Sequence, residues 1–398
     1  MLHVRNQRAP LPEVRATKAV PPPTVTDGQA RATSRDPFFD NAKYLAIVLV
    51  AIGHAWTPLR EDSRTAAALY MFVYAFHMPA FIMIAGYFSR NFTARPHQLK
   101  RLVSGVLVPY LIFGVAYVLF VRWGTDSPDY PFALLDPYYL TWFLIALFVW
   151  RLTAPLWNVV RWPMPIALAI AALASFAPSL GDDLNIQRVL QFLPFFVLGM
   201  RLRPEHFELA RRREVRLAAL PVFLCALATA YWAVPRMDAS WFYRSSSAQE
   251  MGFEWWIGVV MSLALFGCGL VLSVAFLSWV PRHRRWYTAL GAGTIYGYLL
   301  HGFVVKASRW WEWYDAAWVH TPGGRVVVTA LGALVVTLLC TAPVRRVFRC
   351  LVEPSLNWAF RGDGGSSRRE GDERGEAGAT PRGNPEGPSG NRRPVKAG

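Results

Sequence analysis

The chain has 398 residues, of which 54% are hydrophobic and only 17% charged, with 17 tryptophans and a mean hydropathy of +0.23. A soluble domain carries about 25% charged residues, so this composition excludes an ordinary soluble enzyme and points to long uncharged runs in a bilayer. The net charge of +16 falls between the apolar runs and in the tails, which suits membrane topology and contact with acidic lipid and gives no support to nucleic-acid binding.

In chain order, residues 1–36 come first, rich in Pro, Arg and Thr and without the apolar stretch of a signal peptide. Ten apolar stretches follow, at 42–58, 69–88, 102–121, 138–157, 162–178, 189–203, 215–234, 255–279, 288–306 and 325–344. Each is close to the roughly 17–25 residues that cross a bilayer. Pro155, Pro163, Pro165 and Pro194 interrupt the fourth to sixth. Residues 356–398 are dominated by Gly, Pro, Arg, Glu and Ser, so both tails are expected to be disordered around one polytopic domain over 37–355. The four cysteines make no CxxC pair and indicate neither a disulfide framework nor a metal site.

Loop charge supports the count. With the N-terminus inside, the inner loops hold Arg90, Arg95, Lys100 and Arg101, then Arg151 and Arg161, then Arg201, Arg203, Arg211, Arg212, Arg213 and Arg216, then Arg282, Arg284 and Arg285, and the C-terminal side begins with Arg345, Arg346 and Arg349. The outer loops hold Glu61 and Asp62, then Asp126, Asp129 and Asp136, then Asp182 and Asp183, then Asp238, Glu250 and Glu254, then Glu312 and Asp315. One register satisfies the positive-inside rule throughout. The expectation is an all-α protein of about ten transmembrane helices in one bundle, multi-pass in the cell membrane, with both termini cytoplasmic.

Ionisable groups inside apolar segments are costly and mark candidate sites. On the first stretch Lys43 and His54 are eleven residues apart, about three turns plus 20° and a rise of about 16 Å, so they share one helix face. Lys43 reads either as a snorkelling anchor or as a ligand group at the inner mouth, and His54 as an interhelical hydrogen-bonding residue or a catalytic one. Asp40 is expected to cap this helix. His77 sits in Phe76-His77-Met78-Pro79, where Pro79 frees the Ala75 carbonyl. His301 closes Tyr296-Gly297-Tyr298-Leu299-Leu300-His301, and Tyr138 to Phe143 open the fourth stretch. All four segments place polar or aromatic groups at similar depth, which predicts a cavity in the outer half of the bundle. The tryptophans on that side, among them Trp56, Trp255, Trp256, Trp311, Trp313 and Trp318, read as an interfacial belt.

These residues resemble the membrane-bound acyltransferase type 3 family, and within it the branch related to fucose 4-O-acetylases. The resemblance covers about residues 37–355. It rests on Phe39-Asp40-Asn41-Ala42-Lys43 through Gly53-His54, on Phe76-His77-Met78-Pro79-Ala80-Phe81 with Ala85-Gly86-Tyr87-Phe88, on Trp142-Phe143-Leu144 and on Tyr298-Leu299-Leu300-His301. Ala85 stands where relatives carry Ser, and their paired-arginine motif has no counterpart of the same spacing among Arg90, Arg95, Lys100 and Arg101. The resemblance implies O-acyl transfer, acetyl above all, from cytoplasmic acyl-CoA as co-substrate to a carbohydrate or other hydroxylated acceptor, with no permanently bound cofactor. Lys43, Arg90, Lys100 and Arg101 would then hold CoA phosphates. His54, titrating ordinarily at about 6.5, would act as general base or as acyl carrier. His77 or His301 would orient the acceptor or stabilise an oxyanion, and Trp142 and Tyr298 would contact substrate. The alternative is a flippase for a lipid-linked sugar, although no internal repeat of the kind common in transporters is visible.

Overall fold

The structure is a computed structural model that describes residues 36–355, apart from 179, 181 and 182, together with 358 and 359. The tails expected to be disordered lie almost wholly outside the described residues, as does Asp182. Among the described residues every regular element is helical. In order these are α1 (Pro37–Trp56), α2 (Arg64–Tyr74), α3 (His77–Ser89), α4 (Pro96–Leu102), α5 (Val108–Gly124), α6 (Trp142–Val159), α7 (Pro163–Phe176), α8 (Ile186–Arg201), α9 (Pro204–Ala210), α10 (Arg213–Ala233), α11 (Ser240–Tyr243), α12 (Trp255–Trp279), α13 (Thr294–Trp310), α14 (Pro322–Leu339) and α15 (Ala342–Val352).

Among the described residues, eight segments have the length and apolarity to cross a membrane: α1, α2 with α3, α4 with α5, α6, α10, α12, α13 and α14. The protein is thus a multi-pass helical bundle. The other two of the ten expected spans, α7 and α8, have 14 and 16 residues. At 1.5 Å per residue they reach only about 21 and 24 Å, short of a hydrocarbon core about 30 Å thick. α8 carries Gln187, Arg188 and Gln191 because it is sheathed by protein rather than lipid: Gln187, Gln191 and nine other residues from Val189 to Met200 are buried. Its principal neighbours are α3 and α7.

α1 begins earlier than Asp40. Asp36 is its N-cap, accepting from the Phe38 amide at 2.9 Å, and Pro37 fills the first helical position, where a missing N–H costs nothing. Asp40 lies one turn inside and pairs with Lys43 at 2.8 Å, the i,i+3 neighbour that a helix places beside it. The second expected span is broken, as Pro79 requires. α2 ends at Tyr74, Phe76 leaves helical geometry, and α3 starts at His77. At the break the Val73 carbonyl accepts from the Phe76 amide at 3.2 Å and from His77 Nδ1 at 2.8 Å, which gives the buried imidazole the partner it needs.

α3 and α8 cross at close range through Gly86 and Gly199. A Cβ on Gly86 would run into the Phe196 carbonyl oxygen, and one on Gly199 into that of Met83. Small residues let backbones approach in this way where helices pack within a bilayer. The start of α1 is fastened by Asn41, whose side-chain amide donates to the carbonyls of Pro281 (2.9 Å) and His283 (3.0 Å) and whose oxygen accepts from Thr288 Oγ1 (2.6 Å). The basic residues around this end of the bundle also donate to carbonyls there: Arg201 to Trp157 and Arg282 to Arg211. It is called the basic end below.

Candidate active site

α1, the α2–α3 break, α6, α8 and α13 surround a cavity of about 370 Å³ in the half of the bundle away from the basic end. His54 and His77 line it together with Trp142, Tyr298, Arg188 and Arg309, and tyrosines 70, 74, 139 and 243. Helix periodicity set His54 on α1, the Pro79 break turned His77 inward, and the turn before α6 brought in Tyr139 and Trp142. Two lining residues have left-handed backbones, Tyr139 at φ 52° and Asn185 at φ 48°. Non-glycine residues hold such conformations at a cost of about 1–3 kcal/mol, and they concentrate at functional sites.

His301 stands behind His54. The two rings are parallel, 5.3 Å apart between centroids with 7° between planes, and His54 Nδ1 lies 3.1 Å from His301 Nε2. His301 Nδ1 lies 2.8 Å from the Gly297 carbonyl oxygen. A carbonyl only accepts, so His301 Nδ1 carries a proton, and in the neutral ring Nε2 is then an acceptor. His54 Nδ1 must therefore donate to it. The same logic leaves Nε2 of His54 unprotonated, with its lone pair available, in a ring that lines the cavity. The chain Gly297 carbonyl, His301, His54 thus fixes one tautomer of His54, and that tautomer can take a proton. Tyr139 packs beside it at 5.3 Å between ring centroids, and its hydroxyl is buried without a hydrogen-bond partner. Lys306 lies 4.7 Å from the Tyr139 ring centroid.

A second cavity, of about 830 Å³, occupies the basic end. Lys43 and Arg90 line it with Asp36, Asp40 and Arg151. Lys43 shares its charge with Asp40. Arg90 lies 3.9 Å from the Tyr87 ring centroid, and its Nη1 is buried without a partner. Arg151 Nε donates to Ser89 Oγ at 3.1 Å. Tyr298 lines both cavities, and its hydroxyl donates to the Leu140 carbonyl. The large cavity and the histidine cavity thus meet at one side chain.

The structure brings most of the sequence-derived candidates together in two groups: His54, His77, Trp142 and Tyr298 around one cavity, Lys43, Arg90 and again Tyr298 around the other. His301 acts on His54 from behind and is absent from the lining of the histidine cavity. Lys100 and Arg101, on α4, are not among the side chains that line the basic-end cavity. The tryptophans assigned to the interfacial belt likewise stay off the histidine cavity; Trp255, Trp256, Trp311, Trp313 and Trp318 are exposed on the surface of the described bundle, whereas Trp241, expected in the same belt, is buried beside Phe253. Three arginines escaped the sequence reading: Arg151, which had been counted as an inner-loop charge, and Arg188 and Arg309. The signal was present in each case, since all three interrupt or border apolar runs.

A family model described as an acyltransferase domain, acyltransferase 3, matches residues 36–345. The chain is also similar to the nodulation protein NolL of Sinorhizobium fredii, at 25% identity over 232 residues, which is 54% of this chain and 60% of that protein. The chain therefore spans less than two thirds of this relative's length. No solved structure matches.

Proposed function

The chain belongs to the acyltransferase 3 family, and on that premise we propose that it is an integral-membrane O-acyltransferase, acetyl-CoA-dependent, that acylates a hydroxyl of a carbohydrate or similar envelope or secreted acceptor. The observation that carries the reading is the tautomer of His54: a histidine relay leaves one imidazole nitrogen unprotonated on a residue that lines a cavity large enough for a sugar ring. Acyl-CoA would bind from the basic end, with its phosphates against Arg90, Arg151 and Lys43 as charge-assisted pairs and its thioester arm passing Tyr298. The rise of about 16 Å from Lys43 to His54 along α1 suits an extended pantetheine arm.

In this mechanism His54 Nε2 removes the proton of the acceptor hydroxyl as its oxygen attacks the thioester carbonyl. The tetrahedral intermediate places negative charge on the former carbonyl oxygen, for which the Tyr139 hydroxyl is the unengaged donor. Collapse breaks the carbon–sulfur bond, and His54 returns the proton to the leaving thiolate. One ester forms, one thioester is lost, and no redox change occurs. The placement of the basic end in the cytoplasm, with both termini there and the chain in the cell membrane, belongs to the same proposal and is supported by the positive-inside rule. So does the fucose 4-O-acetylase-related branch, supported by the motifs from Phe39 to His54 and from Phe76 to Phe88.

The test is label transfer and CoA release from radiolabelled acetyl-CoA in membranes containing the native protein or His54→Ala at matched abundance. Transfer confined to the native protein supports the reading. Equal transfer by both, or intact acetyl-CoA beside movement of a lipid-linked sugar across the bilayer, sinks it, the latter in favour of a flippase. A labelled His54 adduct trapped after acid quench would replace the general base by an acyl relay.

A further inference from the structure

The cavity beside His54 is cationic to a degree that proton abstraction from a neutral sugar does not require. Its lining includes Arg188 and Arg309 and no carboxylate. The Nε of each arginine is buried without a hydrogen-bond partner. Neither residue takes part in the ion pairs Lys43–Asp40 and His320–Asp62. The guanidinium of Arg188 lies against the Trp142 ring, 5.2 Å from its centroid. Lys306, packed over Tyr138 and Tyr139, adds a third positive charge behind the same wall. The remaining polar lining is mostly phenolic and brings no counter-charge.

Buried charges without partners are expensive and are kept where a ligand compensates them. A planar guanidinium fork matches an oxyanion, phosphate or carboxylate, in two parallel hydrogen bonds. The CoA phosphates already have a cationic cavity at the other end, lined by Lys43, Arg90 and Arg151, so these two arginines need a different anion.

We propose that the acceptor is itself anionic: it carries a phosphate or carboxylate group that pairs with Arg188 and Arg309 while a neighbouring hydroxyl faces His54. The role given to the hydroxyl rests on the acyl-transfer reading; the anion site does not. The cavity then discriminates by charge, because a neutral analogue brings no counter-charge to the two arginines and their buried Nε groups, whereas the anionic acceptor does.

The full-length protein in nanodiscs of neutral lipid, saturated with CoA to occupy the basic end, is titrated with inorganic phosphate, glucose 1-phosphate, glucuronate and methyl glucoside while thermal unfolding is followed. The phosphate- or carboxylate-bearing probes are expected to stabilise the protein saturably and methyl glucoside is not, and whether the phosphates or glucuronate act at lower concentration identifies the oxyanion. Arg188→Gln and Arg309→Gln should weaken that binding about tenfold or more, and Arg151→Gln should leave it intact. Stabilisation no greater with the anions than with methyl glucoside, or unaltered in both cavity variants, overturns the proposal. A second measurement needs no variant: the product labelled by native membranes should be retained on an anion exchanger, and a neutral product overturns the proposal equally. Anion binding that follows Arg188 and Arg309 in a protein that transfers no label would sink the acyltransferase reading while leaving the anion site standing.

Discussion

Removing His301 should disable His54 without touching either cavity. In His301→Ala the Nδ1–H of His54 loses its acceptor at 3.1 Å, and the Gly297 carbonyl loses the donor at 2.8 Å. Each orphaned group in this buried setting costs about 1–3 kcal/mol of stability, so a measurable fall in unfolding temperature accompanies the kinetic effect. The catalytic loss is larger than the stability loss suggests, because His54 is then free to rotate and to carry its proton on Nε2, the nitrogen that must be bare. Positioned proton transfer contributes about 10²–10⁴-fold, and losing the position but not the group should cost on the order of 10²-fold in kcat. The KM for acetyl-CoA should stay within about threefold, since His301 lines neither the histidine cavity nor the basic-end cavity. His301→Gln is the decisive companion. Its amide can donate to Gly297 and accept from His54, so it should recover activity to within about tenfold of native. Initial rates of CoA release at matched amounts of folded protein, across a range of acetyl-CoA concentrations, measure all of this. Two variants with equal activity, or a kcat in His301→Ala close to native, would refute the relay.

Other side chains give separable outcomes in the same assay. Tyr139→Phe removes the unpartnered hydroxyl beside His54; if it serves the oxyanion, kcat falls about 10²-fold with KM nearly constant, and a change in KM alone would assign it to substrate binding instead. Arg90→Gln and Arg151→Gln should raise the KM for acetyl-CoA about tenfold each, since each removes a charge-assisted contact, and should do so less for a desphospho-CoA donor than for the full nucleotide. Gly199→Leu drives side-chain atoms into the Met83 carbonyl. Overpacking of this kind costs about 1–3 kcal/mol or more, and the readout is loss of monodisperse protein in detergent with activity falling in proportion, a pattern that the histidine variants must not show.

The sequence carried the helical class and half of the site for a physical reason: both follow from periodicity along one segment. Lys43 and His54 share a face of α1 by counting, and Pro79 dictates the break that turns His77 inward. What counting along one segment leaves open is which way a charge on an apolar segment points. Arg151 looks like a loop charge in a topology count, yet it lines the basic-end cavity and donates to Ser89. Arg188 and Arg309 present the same ambiguity at the opposite end, where positive residues run against the topology rule and are for that reason more informative than the inner ones. The pairing of His54 with His301 spans 247 residues and has no local signature. Lys43–Asp40 has the i,i+3 spacing of a helix pair, although the sequence reading took Asp40 for the cap, and the pair dilutes the charge that Lys43 could offer to a phosphate.

One turn of α13 ties these parts together. Gly297, Tyr298 and His301 fall within five consecutive positions. The first accepts the proton-bearing nitrogen of His301, the second forms the shared wall of the two cavities, and the third fixes the tautomer of His54. This turn is held from outside by the Leu140 carbonyl, which accepts from Tyr298, and by the Tyr117 hydroxyl, which donates to Leu299 at 2.8 Å. A displacement of α13 along its axis would therefore move the wall between the cavities and the acceptor of His54 together. On the proposed mechanism the thioester arm passes that wall on its way to His54, so access for the donor and the tautomer of the base both depend on the position of the same turn, and a shift of α13 is expected to alter the 3.1 Å contact between His54 and His301 together with the wall.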